Sequence, residues 1–257
     1  MSEKERPEEN RHLHWWDSFK LHFYDTGKPE RLSGFEIFAT LLVCSVIGYC
    51  IEMVWCYFKN GYWESRQSLV YGPFGLAYGL GGMLLTVLLF RNTHTPLWKV
   101  FLKSFVWLSA AEYIMSLGME LVFGHVSWDY SHMPLNLNGR ICALYSCYWG
   151  LLGCLWAKVI YPWFNHTLDK ISLKMKKILF WVFFVFLVYD CIISAMAAAR
   201  FNQRQEGIPP RDVIDVVLDK QFPDSYIRRV FANAMEVDKD GNIDNANPLG
   251  KDARPTG

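Results

Sequence analysis

Residues 98–123 read WKVFLKSFVWLSAAEYIMSLGMELVF. A bilayer span needs about 20 mainly apolar residues, and this stretch supplies them. It also places Ser109, Glu112, Ser116 and Glu120 at steps of three and four, along one face of a helix. A carboxylate in hydrocarbon is costly, so such a stripe has to face a bundle interior or a water-filled cavity. The segment therefore predicts a membrane protein with several spans and a polar interior.

The rest of the chain extends that pattern. Apolar segments run roughly over 35–58, 72–90, 98–123, 140–163 and 178–200, so the fold expected is all-α, a polytopic bundle of about five transmembrane helices. Glu52 lies inside the first segment and Asp190, with Ser194 one turn on, inside the fifth. Trp55, Trp63, Trp98, Trp128, Trp163 and Trp181 fall near segment ends, where an aromatic belt belongs. Residues 1–34 and 201–257 are polar, which divides the chain into an N-terminal arm, a bundle over 35–200 and a C-terminal tail. No apolar h-region precedes residue 35, so the first span is expected to act as its own insertion signal.

Lysine and arginine set the expected orientation. The arm carries Lys4, Arg6, Arg11, Lys20, Lys28 and Arg31, and the loops after the second and fourth segments carry Arg91, Lys99, Lys170, Lys174, Lys176 and Lys177. The opposite side has Lys59, Arg66 and Arg140, with further positive charge in the tail. The bias favours a cytoplasmic N-terminus and an external C-terminus. The net charge of +1 argues against a nucleic-acid partner, which calls for a basic excess.

Several weaker signals take bland readings. The seven cysteines lie in apolar segments without a C-x-x-C pair, so they read as packing residues and not as metal or redox groups. His12, His14 and His22 of the arm share no helical face, and Arg11–Tyr24 reads as an interfacial helix. Asp238–Asp244 resembles a calcium loop, but Ile243 and Leu249 stand where that loop needs Gly and Glu, so a solvated end is expected. The tail offers two short helices, at 211–220 and 225–235. Gly72, Gly75, Gly79, Gly81 and Gly82 favour close helix packing over a broken, substrate-exposing helix.

The candidate solute- or ion-binding residues are Glu52, Arg66, Glu112, Glu120, Asp129, Asn136, Asn138, Arg140 and Asp190. Under the expected orientation Glu52, Glu120 and Arg140 lie toward the outer side, and Glu112 and Asp190 lie deeper. The loop Ser127–Arg140 (SWDYSHMPLNLNGR) joins an acid, amides and an arginine to an Asn138-Gly139 turn, a composition suited to capping a bundle or binding a polar solute. No catalytic residue and no cofactor is assigned.

The run Trp128-Asp-Tyr-Ser131, Pro134-Leu-Asn-Leu-Asn-Gly-Arg-Ile-Cys142, Ser146 and Trp149-Gly150-x-x-Gly153 resembles the bacterial CmpB-like family, labelled "putative ABC-transporter type IV". Gly48-Tyr49-x-x-Glu52, Arg66-x-x-Leu69-x-x-Gly72-Pro73 and Tyr78-Gly79 resemble it too, over about residues 35–165. Tyr49, Ser65 and Gln67 depart from that family's Trp, Asn and Gly. The resemblance implies a multi-pass protein of the bacterial plasma membrane, a permease-like transport component.

The chain has no G-x-x-x-x-G-K-[ST] loop, so an ATP-binding subunit would be a separate chain, docking at the basic loop over 165–177. Five spans are few for a complete transporter, which points to a homodimer. A membrane binding or sensory protein is the alternative. An intramembrane enzyme is disfavoured: Tyr189-Asp190 resembles half of an aspartyl protease site, but the partner Gly-x-Gly-Asp and any H-E-x-x-H motif are absent.

Overall fold

Four long apolar helices and one short one make the bundle, in a computed structural model that describes residues 32–90 and 95–236. They are α1 (Gly34–Asn60), α2 (Leu76–Leu89), α3 (Leu97–Phe123), α4 (Ala143–Asp169) and α5 (Leu173–Gln205). Two short helices follow, α6 (Val213–Gln221) and α7 (Asp224–Val230). The arm helix with its three histidines and the calcium-like loop both lie outside the described residues.

Local sequence sets the helix ends. Ser33 and Glu36 form a reciprocal capping box at the start of α1, and Gly61 closes it in the left-handed conformation at φ 80°. Ser172 caps α5 by accepting from the Met175 N–H. Within α4 the segment Trp156–Ile160 widens to π geometry. Pro162 follows one residue later; it has no N–H and its ring crowds the carbonyl four residues back, so a wider turn relieves the register.

The second segment differs from a full span. Its helix covers 14 residues, about 21 Å at helical rise, against about 30 Å of hydrocarbon. Gly72 takes φ +72° and Gly75 forms the N-cap, so the chain before Leu76 is irregular. That irregular stretch nevertheless buries Leu69, Val70 and Phe74 among the helices. Non-helical backbone at this depth requires protein partners. The Val70 N–H donates to Ser194 Oγ at 2.8 Å and the Tyr71 N–H to Asp190 Oδ1 at 3.1 Å.

Small residues let α1 and α2 pack closely as an antiparallel pair. A Cβ on Gly79 would lie 2.0 Å from Ser45 Oγ, and one on Gly82 would lie 2.5 Å from Cys44 Sγ. Gly153 likewise admits Ser104 between α3 and α4. The polar stripe of α3 begins in this interface, where the Ser109 hydroxyl donates to Ser146 at 2.6 Å.

The end of the tail's second helix comes earlier than expected. It stops at Val230, and Met235–Glu236 instead pairs antiparallel with His125–Val126. The tail docks on the bundle through Arg200 and Arg204. Both guanidinium groups bind Asp219, and Arg204 also binds Asp224. Beneath these pairs Ala197, Phe201, Leu218, Phe222 and Ile227 form one apolar cluster with Val70.

The hydrogen bonds from Arg200, then those from Arg204, hold the Asp219 carboxyl below its ordinary range, despite an opposing desolvation effect. A depressed folded-state pKa contributes stability that is full above the unfolded value, about 4, and lost as pH falls through the lower folded value. Hydrogen exchange of residues 213–230, corrected for intrinsic rates, is expected to lose protection below about pH 4. Asp219→Asn should show the same loss at neutral pH.

Candidate functional site: an intramembrane carboxylate under a loop

The helices α3 and α4 and the loop over 124–142 converge on Glu112, which is buried. Its Oε2 accepts from Trp149 Nε1 at 2.9 Å, and its Oε1 accepts from the Tyr130 hydroxyl at 3.1 Å. Trp149 comes from α4 and Tyr130 from the loop, so one carboxylate ties the helix pair to its cover. Burial, and then the facing Glu112 carboxylate, push the Tyr130 hydroxyl above its ordinary range, so it remains a donor at neutral pH. The Tyr130 ring stacks on Tyr145 with centroids 4.6 Å apart.

A second polar group lies beside the first. The Tyr78 hydroxyl hydrogen-bonds Glu52 and lies within electrostatic reach of Arg66 and Glu112. Gly48 makes this possible: its Cβ position falls 2.2 Å from the Tyr78 ring, so only glycine lets that ring lie against α1. Glu52 follows one turn later. Arg66 also pairs with Glu64 at 3.2 Å and donates to the Cys56 thiol at 3.6 Å.

Arg140 completes the polar face of α3. One terminal nitrogen binds Glu120, the other donates to Ser116 Oγ at 3.2 Å, and the guanidinium lies 5.7 Å from the Tyr113 ring centroid. Glu52 is not in this group, so the outer set expected from sequence is divided between two neighbourhoods. Arg140→Gln is expected to cost about 2 kcal/mol in thermal unfolding, because Glu120 loses its cation while still 26 % exposed. Adding Glu120→Gln should restore part of that loss.

Asp129, Asn136 and Asn138 shape the cover. Asp129 accepts from the Ser131 N–H at 2.9 Å and the Ser131 hydroxyl at 2.7 Å. The Asn136 amide donates to Met133 O at 2.8 Å, while its oxygen accepts from the Gly139 N–H. The Asn138 amide donates to the Tyr113 hydroxyl at 3.0 Å. These bonds fold the loop into a short hairpin, Asn136–Leu137 against Ile141–Cys142, and set Tyr130 over Glu112.

Asp190 stands elsewhere, on α5 against the irregular chain before α2. Its Oδ1 accepts from Tyr71 and Ser194, while its Oδ2 has no hydrogen-bond partner. It shares no partner with Glu112. Among the described residues no group of three or more His, Cys, Asp or Glu is placed to hold a metal ion.

Sequence reading singled out the charges here and passed over their aromatic donors. Tyr78, Tyr130 and Trp149 carry O–H or N–H groups, and Tyr78 and Trp149 sit inside apolar segments instead of at their ends. That position is the available signal, since a buried Tyr or Trp needs a polar partner.

The fold and this interior define a polytopic helical membrane protein with carboxylates held inside its bundle. The chain belongs to the family described as putative ABC-transporter type IV, whose model matches residues 39–195. The family is one of membrane transport components, and the matched region runs from α1 to Ala195 of α5. Comparison with curated proteins and with solved structures gave no match.

Proposed function

We propose that this chain is the permease-like subunit of a transporter for a polar solute or ion, with Glu112 at the centre of the path. The observation that carries this reading is the pair of aromatic donors on Glu112, one of them from a loop. The Tyr130 hydroxyl takes on Glu112 the position that a donor group of a solute would take. Breaking that one bond frees one carboxylate oxygen toward the side where α3 ends and α4 begins, while Asn138 and Arg140 keep the rest of the loop on α3. Glu52, Tyr78 and Arg66 then line the adjoining wall, and the Arg140–Glu120 pair closes the rim.

Asp190 serves in this reading to hold the irregular chain before α2, and Asp129, Asn136 and Asn138 serve to hold the loop. The side bearing Lys99, Lys170, Lys174, Lys176 and Lys177 faces the cytoplasm of a bacterial plasma membrane. The start of α5 offers a separate ATP-binding subunit an exposed mixed surface of Leu173, Lys174, Met175 and Lys177. A homodimer would supply the second half of a transport path.

The test requires no assumption about which solute moves. Untargeted comparison of small polar solutes in cells and medium is made for wild type, a deletion strain and a Glu112→Gln strain. At least one solute is expected to shift on deletion, with Glu112→Gln matching the deletion. Indistinguishable profiles for wild type and Glu112→Gln, alongside a shift on deletion, would overturn the role given to the carboxylate.

A further inference from the structure

We infer that α6 is a membrane-surface anchor whose exposed apolar face lies at the boundary of lipid headgroups and acyl chains. The helix has three differently occupied arcs. Asp215 and Asp219 turn toward Arg200, with the closer pair, Asp219, at 2.9 Å. Leu218 enters the apolar cluster with Phe201 and Phe222. The remaining arc carries Val213, Ile214, Val216 and Val217, which are 78, 54, 53 and 57 % exposed. Four adjacent β-branched residues form an apolar patch unsuited to water.

The depth of α6 follows from what it touches. Gln221 at its end hydrogen-bonds Tyr71, and the next residue, Phe222, sets its ring 5.9 Å from the Tyr71 ring. Tyr71 in turn stacks on Tyr189 at 6.3 Å and donates its N–H to Asp190. Tyr189 and Asp190 lie within the apolar run of α5, eleven and ten residues before Arg200 by chain position. Tyr189 and Ile192 are exposed on that helix, so the lipid-facing surface of α5 continues toward the end of α6. The tail is thereby held down against the bundle at the level of the membrane.

Charge placement agrees with the same occupant. Arg211 precedes the helix and Lys220 lies near its end, both exposed, so their stems can lie along apolar surface while the charges reach headgroups. The acids of the polar face, Asp215 and Asp219, are taken up by Arg200 and Arg204, which leaves the basic residues at the two ends of the apolar face to meet headgroups, as in an interfacial element.

The test places a photoreactive diazirine amino acid at Val213 or Val217 of the full chain, or at the exposed Glu206 as a control beyond the end of α5. The protein is irradiated in bilayer discs of mixed zwitterionic and anionic phospholipid and weighed intact. A mass gain of one phospholipid is expected at Val213 and Val217 and not at Glu206. A cross-link to a second copy or to another protein at these positions would overturn the inference, as would insertion of water alone. Equal lipid addition at Glu206 would also overturn it.

Discussion

Glu112→Gln is expected to abolish solute movement while leaving the protein folded. Glutamine has the shape of glutamate, and the two partners of Glu112 differ in what they accept. Trp149 Nε1–H only donates, so it takes the amide oxygen. The Tyr130 hydroxyl can reverse its role and accept from the amide nitrogen. Both contacts therefore survive, with the Tyr130 O–H turned to another acceptor, and thermal unfolding in detergent should shift by no more than about 1 kcal/mol. The charge and the ability to bind a cation or proton are lost. Glu112→Leu removes the bonds as well and strands both donors, at a cost of about 2–4 kcal/mol. The comparison separates a carboxylate needed for transport from one needed for packing. A protein that only binds a ligand at its outer loop would tolerate Glu112→Gln and lose activity on Arg140→Gln.

The largest effect on folding is expected at Gly79. A Cβ there would meet Ser45 Oγ at 2.0 Å and the Leu41 carbonyl oxygen at 2.5 Å. A side chain could rotate away, but the carbonyl belongs to the backbone of α1 and cannot move without the helix. Overpacking commonly costs about 1–3 kcal/mol, and a clash with backbone lies at or beyond the top of that range. Gly79→Leu should therefore separate α1 from α2, with loss of monodisperse protein in size-exclusion chromatography. Gly81→Ala on the same helix meets nothing within 4 Å. It should leave the elution profile unchanged, with stability equal to wild type or higher by up to about 1 kcal/mol.

Much of the architecture was legible because apolar length is a local property. The helices α1 and α3 lie within a few residues of the expected limits, because groups such as Ser33 and Gly61 sit beside the apolar runs, whereas α5, capped by Ser172, runs past its expected limits at both ends. The stripe on α3 was legible for the same reason, and each of its members meets a polar partner. Ser109 meets Ser146, Glu112 meets Tyr130 and Trp149, and Ser116 and Glu120 meet Arg140.

Other features were hidden by long range. Gly72–Gly75 counts toward apolar length, yet the left-handed backbone at Gly72 and the cap at Gly75 delay the second helix. Asp190 meets Ser194 one turn on, but its other partner is the backbone of Tyr71, 119 residues away, and no spacing rule relates those two. The tail docks through Arg200 and Arg204 to acids 15 to 20 residues on, across a turn whose course sequence does not specify. The aromatic donors to Glu112 were present in the motifs that carry the family resemblance, as Trp149-Gly150 and Asp129-Tyr130. Their polar atoms drew no attention because Tyr and Trp in membrane proteins usually mark the interface.

The most direct test of the permease reading is the composition of the complex the chain forms. The tagged protein is purified in mild detergent from its native host, and the co-purifying chains are identified and counted by mass spectrometry. The account predicts a stoichiometric ATP-binding subunit, retained in wild type and in Glu112→Gln. A stable homo-oligomer recovered repeatedly without any ATP-binding chain would contradict it.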